Sequence, residues 1–229
     1  ASAIENQEPT DASQNDTQNN AQDDAQDVTQ NEAQTEEAQE SQQEVQAYAN
    51  TLPPTIPTGE TYTLSEDVTM ESGQWFESIE GTLDGAGHTI TLTDKPLANK
   101  VTGTIQNLGV TSEKVIERDD TFGSMAMTFS GTIQNCFSTA KLNMSGWDEP
   151  GGLVGTANGG TIQNSYFAGT VTGTLSGFYG ALIGVNTSND TKLKNSCYGP
   201  GSMNGAVSMG GNKITPENVQ QKSLEDFKS

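Results

Sequence analysis

The sequence predicts an all-β fold, a parallel β-helix of about five turns, preceded by a disordered acidic tail and closed by a short C-terminal helix. Three observations carry this. A pentapeptide recurs along the chain, at Gly103-Thr104-Ile105-Gln106-Asn107, Gly131-Thr132-Ile133-Gln134-Asn135 and Gly160-Thr161-Ile162-Gln163-Asn164. The segments between copies are short and alternating, as in Gly169-Thr170-Val171-Thr172-Gly173, with no run of helical period. All 25 glycines fall after residue 50.

The chain has 229 residues and a formal net charge of −20. Residues 1–50 hold 12 acidic residues and 11 Gln, with no Lys, Arg or Gly. Gln recurs every fourth position from Gln14 to Gln34, which would align the amides on one helix face, but that face is polar. Too few apolar side chains are present to offset the entropy of ordering, so a solvated tail is expected. The opening Ala1-Ser2-Ala3 resembles the small-residue end of a cleaved secretory signal. Residues 51–59 read as a Pro-rich linker, with Pro53, Pro54 and Pro57. Its Leu52-Pro53-Pro54-Thr55 matches the start of a Gram-positive wall-sorting signal, but Ile56 stands where Gly belongs, so that reading is rejected. Residues 60–229 are the β-helix.

Counting degenerate copies at Gly81-Thr82-Leu83-Asp84-Gly85 and Thr191-Lys192-Leu193-Lys194-Asn195, the spacings are 22, 28, 29 and 31 residues. Such periods mean a solenoid, propeller or array. Helical solenoids lack these strand-sized units, and a propeller blade needs roughly 40 residues or more. One turn of a β-helix fits, each turn stacking at about 4.8 Å. Leu83, Ile105, Ile133, Ile162 and Leu193 then form an inward column. Thr and Gln stack outward on either side, and Asn107, Asn135, Asn164 and Asn195 occupy a corner. Glycines allow the tight corners.

These residues resemble the GLUG motif. Gly151-Gly152-Leu153-Val154-Gly155 followed by Gly160 to Val171 is similar to it, as is Gly180-Ala181-Leu182-Ile183-Gly184 followed by Leu193 to Tyr198. Trp75-Phe76, Gly81 to Ile90 and Tyr62 to Val68 resemble the opening turns of such proteins. The resemblance covers about residues 60–229. It implies a right-handed solenoid on the outside of a bacterial cell, secreted or surface-attached, as in adhesins or beside catalytic domains such as some immunoglobulin A peptidases. It implies no chemistry.

Composition excludes several partners. The charge opposes nucleic acid and anionic lipid, and no apolar run approaches the roughly 20 residues of a membrane helix. Parallel β-helices also host polysaccharide lyases and glycoside hydrolases. A lyase needs a strong base, and the single Arg118 lies among Glu113, Glu117, Asp119 and Asp120, which reads as a solvated ion-pair cluster. A hydrolase needs two carboxylates on one face, whereas Asp148 and Glu149 are adjacent and would point oppositely if extended. His88 is the sole histidine, so a multi-His metal site is impossible, and it sits in a turn, Gly85-Ala86-Gly87-His88. No catalytic residue, cofactor or metal is expected. Cys136 and Cys197 fall two turns apart, about 10 Å, beyond the roughly 7 Å a disulfide spans; both read as small core side chains.

Exposed aromatics mark the remaining possibility. Trp147, Asp148 and Glu149 occupy a loop between turns, and Phe178-Tyr179 the matching place one repeat later. Trp147, Asp148, Glu149 and Tyr179 are the expected binding residues, with an extracellular polysaccharide or host glycoprotein as partner. Trp75 reads as a cap residue. Thr215, Pro216 and Glu217 give a helix start, and Val219, Leu224 and Phe227 an apolar face to cover the last turn. The expectation is a non-catalytic binding or adhesion module, part of a larger polypeptide. The alternatives are a carbohydrate-active enzyme, or a passive spacer for a secreted enzyme such as a peptidase.

Overall fold

A computed structural model of the chain describes residues 52–146, 150–175, 179–200, 205–207 and 211–227. Residues 48–229 form one unit. Within it the chain winds through six stacked coils. The first holds β1 (Thr55–Ile56), β2 (Thr61–Thr63) and β3 (Val68–Thr69), and the second β4 (Phe76–Ile79), β5 (Thr82–Asp84) and β6 (Thr89–Leu92). The third holds β7 (Ala98–Val101), β8 (Thr104–Gln106), β9 (Gly109–Ser112) and β10 (Ile116–Arg118). The fourth holds β11 (Ala126–Phe129), β12 (Thr132–Gln134), β13 (Phe137–Ser138) and β14 (Lys141–Gly146). The fifth holds β15 (Val154–Ala157), β16 (Thr161–Gln163), β17 (Tyr166–Phe167) and β18 (Thr170–Leu175), and the sixth β19 (Ile183–Asn186) and β20 (Lys192–Tyr198). A last strand, β21 (Glu217–Gln221), lies along β20.

Every named strand pairing is parallel and joins one coil to the next. One sheet runs β1-β4-β7-β11-β15-β19. A second runs β2-β5-β8-β12-β16-β20 and returns through β17-β13-β9-β6-β3, because β20 continues around a corner that the earlier coils break. The fold is a parallel β-helix.

The repeat registers as its stacking requires. Tyr62, Leu83, Ile105, Ile133, Ile162 and Leu193 are successive Cα partners, and the five aliphatic members are buried. Each such side chain contributes about 1.5–3 kcal/mol of burial. The five expected turns are the second to sixth coils. The first coil carries no copy of the pentapeptide; Thr61-Tyr62-Thr63 takes its place. The longer spacings also gain a cause. The second-to-third interval of 22 residues has only three-strand geometry, whereas the intervals of 28, 29 and 31 each contain β10, β14 or β18. Those three strands form a separate parallel sheet on one flank.

Two repeated residue types have distinct backbone reasons. Asn107, Asn135, Asn164, Asn195 and Asn218 all sit at φ between 44° and 54°, the left-handed region that Asn tolerates best among residues with a side chain. The glycine opening the pentapeptide answers to close approach as well. A Cβ on Gly103 would overlap the carbonyl oxygen of Gly81, and one on Gly131 that of Gly103.

Two expectations are corrected. Residues 51–59 are not only a linker: Leu52 and Ile56 are buried in the core and Thr55–Ile56 pairs with Ser78–Ile79. The apolar Leu52 and Ile56 bury against the second coil, which the prolines permit because β1 is an edge strand. The C-terminal helix is also replaced. Glu217–Gln221 is a strand on β20, followed by a single 3-10 turn at Leu224–Phe227. A helix this short is marginal alone, while the exposed edge of β20 satisfies the backbone directly.

Candidate functional site

β10, β14 and β18 form the flank whose strands precede the loops singled out from the sequence. Ile116–Arg118 pairs with Leu142–Met144, and Lys141–Gly146 pairs with Thr170–Leu175. Beyond the loops, Gly123, Gly151 and Gly180 form consecutive parallel bridges. The chain therefore leaves this flank after each of the three strands and is back in register at the glycine bridges, just before β11, β15 and β19. Arg118 is the register partner of Met144, and Gly146 of Leu175. Trp147, Asp148 and Glu149 lie outside the described residues. Tyr179 is half-buried, immediately before the Gly180 bridge.

The loop after Arg118 belongs to the same flank, a relation that reasoning from the sequence missed. Arg118 donates from Nε to Asp120 Oδ1 at 2.8 Å and from Nη2 to Asp120 Oδ2, a two-pronged ion pair. This hydrogen-bonded pairing, with Asp119 and Asp94 adding attraction, raises the guanidinium pKa. Arg118 is thus held as a cation, paired within its own loop. Asp94 accepts from the Gly73 amide and the Ser72 hydroxyl, each at 2.8 Å. Burial raises its pKa, but these bonds with Lys95 and Arg118 outweigh that and hold it below the usual carboxylate value. Trp75 sits beside this corner, partly buried against the core, with Lys95 Nζ 5.1 Å from its ring and its Nε1 donating to Glu77 at 2.6 Å.

His88 lies in its turn with Nδ1 3.4 Å from Asp67 Oδ1, and that same oxygen accepts the Thr89 amide at 2.8 Å. The pair joins the first coil to the second. Among the described residues no group of three or more His, Cys, Asp or Glu side chains is placed to hold a metal ion.

The outward columns form two amide ladders. Gln163 donates to Gln134 at 3.0 Å, Gln134 to Gln106 at 2.9 Å, and Gln106 to Asp84 Oδ2 at 2.7 Å. Asn164 donates to Asn135 and Asn135 to Asn107, each at 3.2 Å, and Asn107 to Asp84 Oδ1 at 3.1 Å. Beside them stands a stacked aromatic pair, Phe137 and Tyr166, with centroids 5.3 Å apart and planes 11° apart. Both rings are half-buried. The signal was present in the sequence: each ring follows its corner Asn by two residues. Cys197 continues this outward column after Tyr166 and is half-buried, whereas Cys136 is in the core; both are free thiols. The expectation of two core thiols holds for Cys136 alone.

The fold makes this chain a repeat protein of the parallel β-helix class. Within it, residues 150–172, from the loop before β15 to the middle of β18, match the family model of the GLUG motif. The chain is similar to halomucin of Haloquadratum walsbyi, at 33% identity over 145 residues, covering 47% of this chain and 2% of halomucin. Among solved structures it resembles a Bacteroides ovatus protein provisionally named an immunoglobulin A1 protease, at 14% identity and a TM-score of 0.42, over 75% of this chain and 80% of that one.

Proposed function

We propose that this chain is a non-catalytic, extracellular bacterial module that binds a glycan or host surface glycoprotein through the loops of its β10–β14–β18 flank. The observation that supports this most is the six-residue pairing of β14 with β18, closed by the Gly151–Gly180 bridge. The residues on either side of the two loops, Gly146 with Leu175 and Gly151 with Gly180, are register partners, which supports reading the loops as one surface. Strand spacing repeats contacts at about 4.8 Å, which suits an extended polymer. Aromatic side chains supply stacking area, and the carboxylates supply polar contacts. The net charge of −20 favours a neutral or basic polymer over an acidic one. The GLUG match and the similarity to halomucin support an extracellular repeat module.

The test is a glycan array combined with a polysaccharide-degradation screen, run on the wild type, Trp147→Ala and Tyr179→Ala. Binding lost in either variant at unchanged melting temperature supports the reading. Released oligosaccharide would replace it with a carbohydrate-active enzyme. Lowered stability with intact binding in both variants would leave a structural spacer.

A further inference from the structure

The flank sheet begins partway along the solenoid. Its order is β10-β14-β18, so β10 is its first strand. The second coil holds no counterpart of β10: only residues 93–97 link β6 to β7, whereas residues 113–125 lie between β9 and β11. All residues from 52 to 146 are described, and among the described residues β10 pairs with β14 alone. The side of β10 turned toward the second coil is therefore a strand edge inside the length of the solenoid, with backbone donors and acceptors on offer. Residues 113–118 include no Pro or Gly to blunt it.

The side chains at this edge have a definite character. Ile116 is buried in the core, while Val115 and Glu117 on either side of it are exposed and share the outward face. Val115 is 49% exposed, the one large apolar side chain so exposed among the described residues. Glu113, Glu117, Asp119 and Asp120 stand here against Lys114 and Arg118, and Arg118 is held by Asp120. Glu117 has no ion-pair partner among the described residues.

We infer that the β10 edge captures an extended basic segment of another protein, which adds to the flank sheet as one more strand. The groups on offer are backbone amides and carbonyls, which a peptide matches along its whole length and a glycan does not. The added strand would set an apolar side chain opposite Val115 and, two residues away on the same face, a Lys or Arg opposite Glu117. This chain is itself acidic, with a net charge of −20, which points to another protein rather than to a second copy. The inference does not rest on the glycan reading, because it uses the edge of the sheet rather than the loops.

A peptide Thr-Val-Thr-Lys-Thr-Val-Thr-Lys is a suitable probe, since Val and Lys alternate on one face in either strand direction. Its binding to the 1–229 chain is followed by fluorescence anisotropy, and its location by amide hydrogen exchange, because acidic residues elsewhere also attract a basic peptide. The expected result is slowed exchange within residues 115–118 when the peptide is present, with affinity falling as salt rises. Glu117→Lys should weaken binding by about tenfold and should favour the matching peptide with Glu in place of Lys. Thermal melts check that the variant keeps the solenoid intact. Binding that leaves exchange in residues 115–118 unchanged overturns the inference, as does equal affinity of the wild type and Glu117→Lys for both peptides. Protection of the same amides that grows with protein concentration in the absence of peptide would assign the edge to a second copy instead, and would overturn it too.

Discussion

Gln106 donates its side-chain amide to Asp84 at 2.7 Å, and this contact sets the direction of the column stacked on it. An ionised carboxylate only accepts hydrogen bonds. Gln106 must therefore turn its nitrogen toward Asp84 and its oxygen toward Gln134, and each later Gln repeats the choice. Asn107 meets the other oxygen of the same carboxylate, so one residue orients both ladders. Beyond Gln163 the next register position is Lys194, a donor-only side chain suited to the acceptor end of the column.

Removing this acceptor should unsettle both columns. Asp84→Ala leaves the Gln106 and Asn107 amides and the Ala86 N–H without their shared partner. Water reaches this part-buried corner, so the expected loss is about 1–2 kcal/mol. Asp84→Asn should fall between, since its amide offers one acceptor oxygen where three donors converge on the two carboxylate oxygens. Urea unfolding measures both. Equal stability of Asp84→Ala and the wild type would show that the ladders need no terminal carboxylate.

Acid should act through the same group. The Ala86 N–H bond lowers the Asp84 pKa most, helped by Gln106 and Asn107 against the opposing effect of burial. Asp94 is also held low. A carboxylate with a depressed folded pKa contributes stability that is present above its unfolded value, about 3.9, and is lost as pH falls through the folded value. The urea midpoint should therefore drop below about pH 4. In Asp84→Asn that descent should be shallower, and in the double variant with Asp94→Asn shallower again. Parallel acid curves for all three proteins would contradict the assignment.

How legible the fold was depended on whether a residue's place was repeated or merely available. The Ile105, Ile133 and Ile162 column was readable because identical side chains recur at a spacing only stacking explains. β21 was not, since Glu217–Gln221 has no apolar alternation and owes its strand to the β20 edge, a non-local partner. The thiols show the effect of a one-residue offset. Cys136 turns inward, while Cys197, one place further from its corner Asn, joins the outward column of Phe137 and Tyr166. At the flank, the sequence placed Trp147 and Tyr179 one repeat apart. It could not reveal that Arg118 ends the adjacent strand, because β10 shares no repeated residue with β14.

That offset predicts different thiol chemistry. Burial pushes Cys136 up to about 12, and it raises Cys197 as well, though this thiol is half-buried. At pH 8 Cys136 would be about one part in ten thousand thiolate, the reactive form. Titration of native protein with a chromogenic disulfide should release one equivalent slowly, from Cys197. The second should appear only on unfolding. Cys197→Ser should abolish the native signal, and fast release of two equivalents from folded protein would refute the burial of Cys136.

Gly109 provides the sharpest packing test. It occupies the outward position below Phe137, and a Cβ there would lie 2.5 Å from Phe137 Cζ and 2.7 Å from Thr89 Oγ1. Its backbone is not left-handed, so Ala carries no conformational strain and the cost of Gly109→Ala is steric. Phe137 cannot lift freely, because Tyr166 stacks on its other face. The substitution should destabilise by about 1–3 kcal/mol, the range for overpacking. In a Phe137→Ala background the ring is gone, and only Thr89 still opposes the new methyl group. Gly109→Ala should then cost markedly less, giving a coupling of at least about 0.5 kcal/mol in a double-mutant cycle. Additive losses would mean that the ring does not rest on Gly109, and that the aromatic pair is free to tilt away from the sheet.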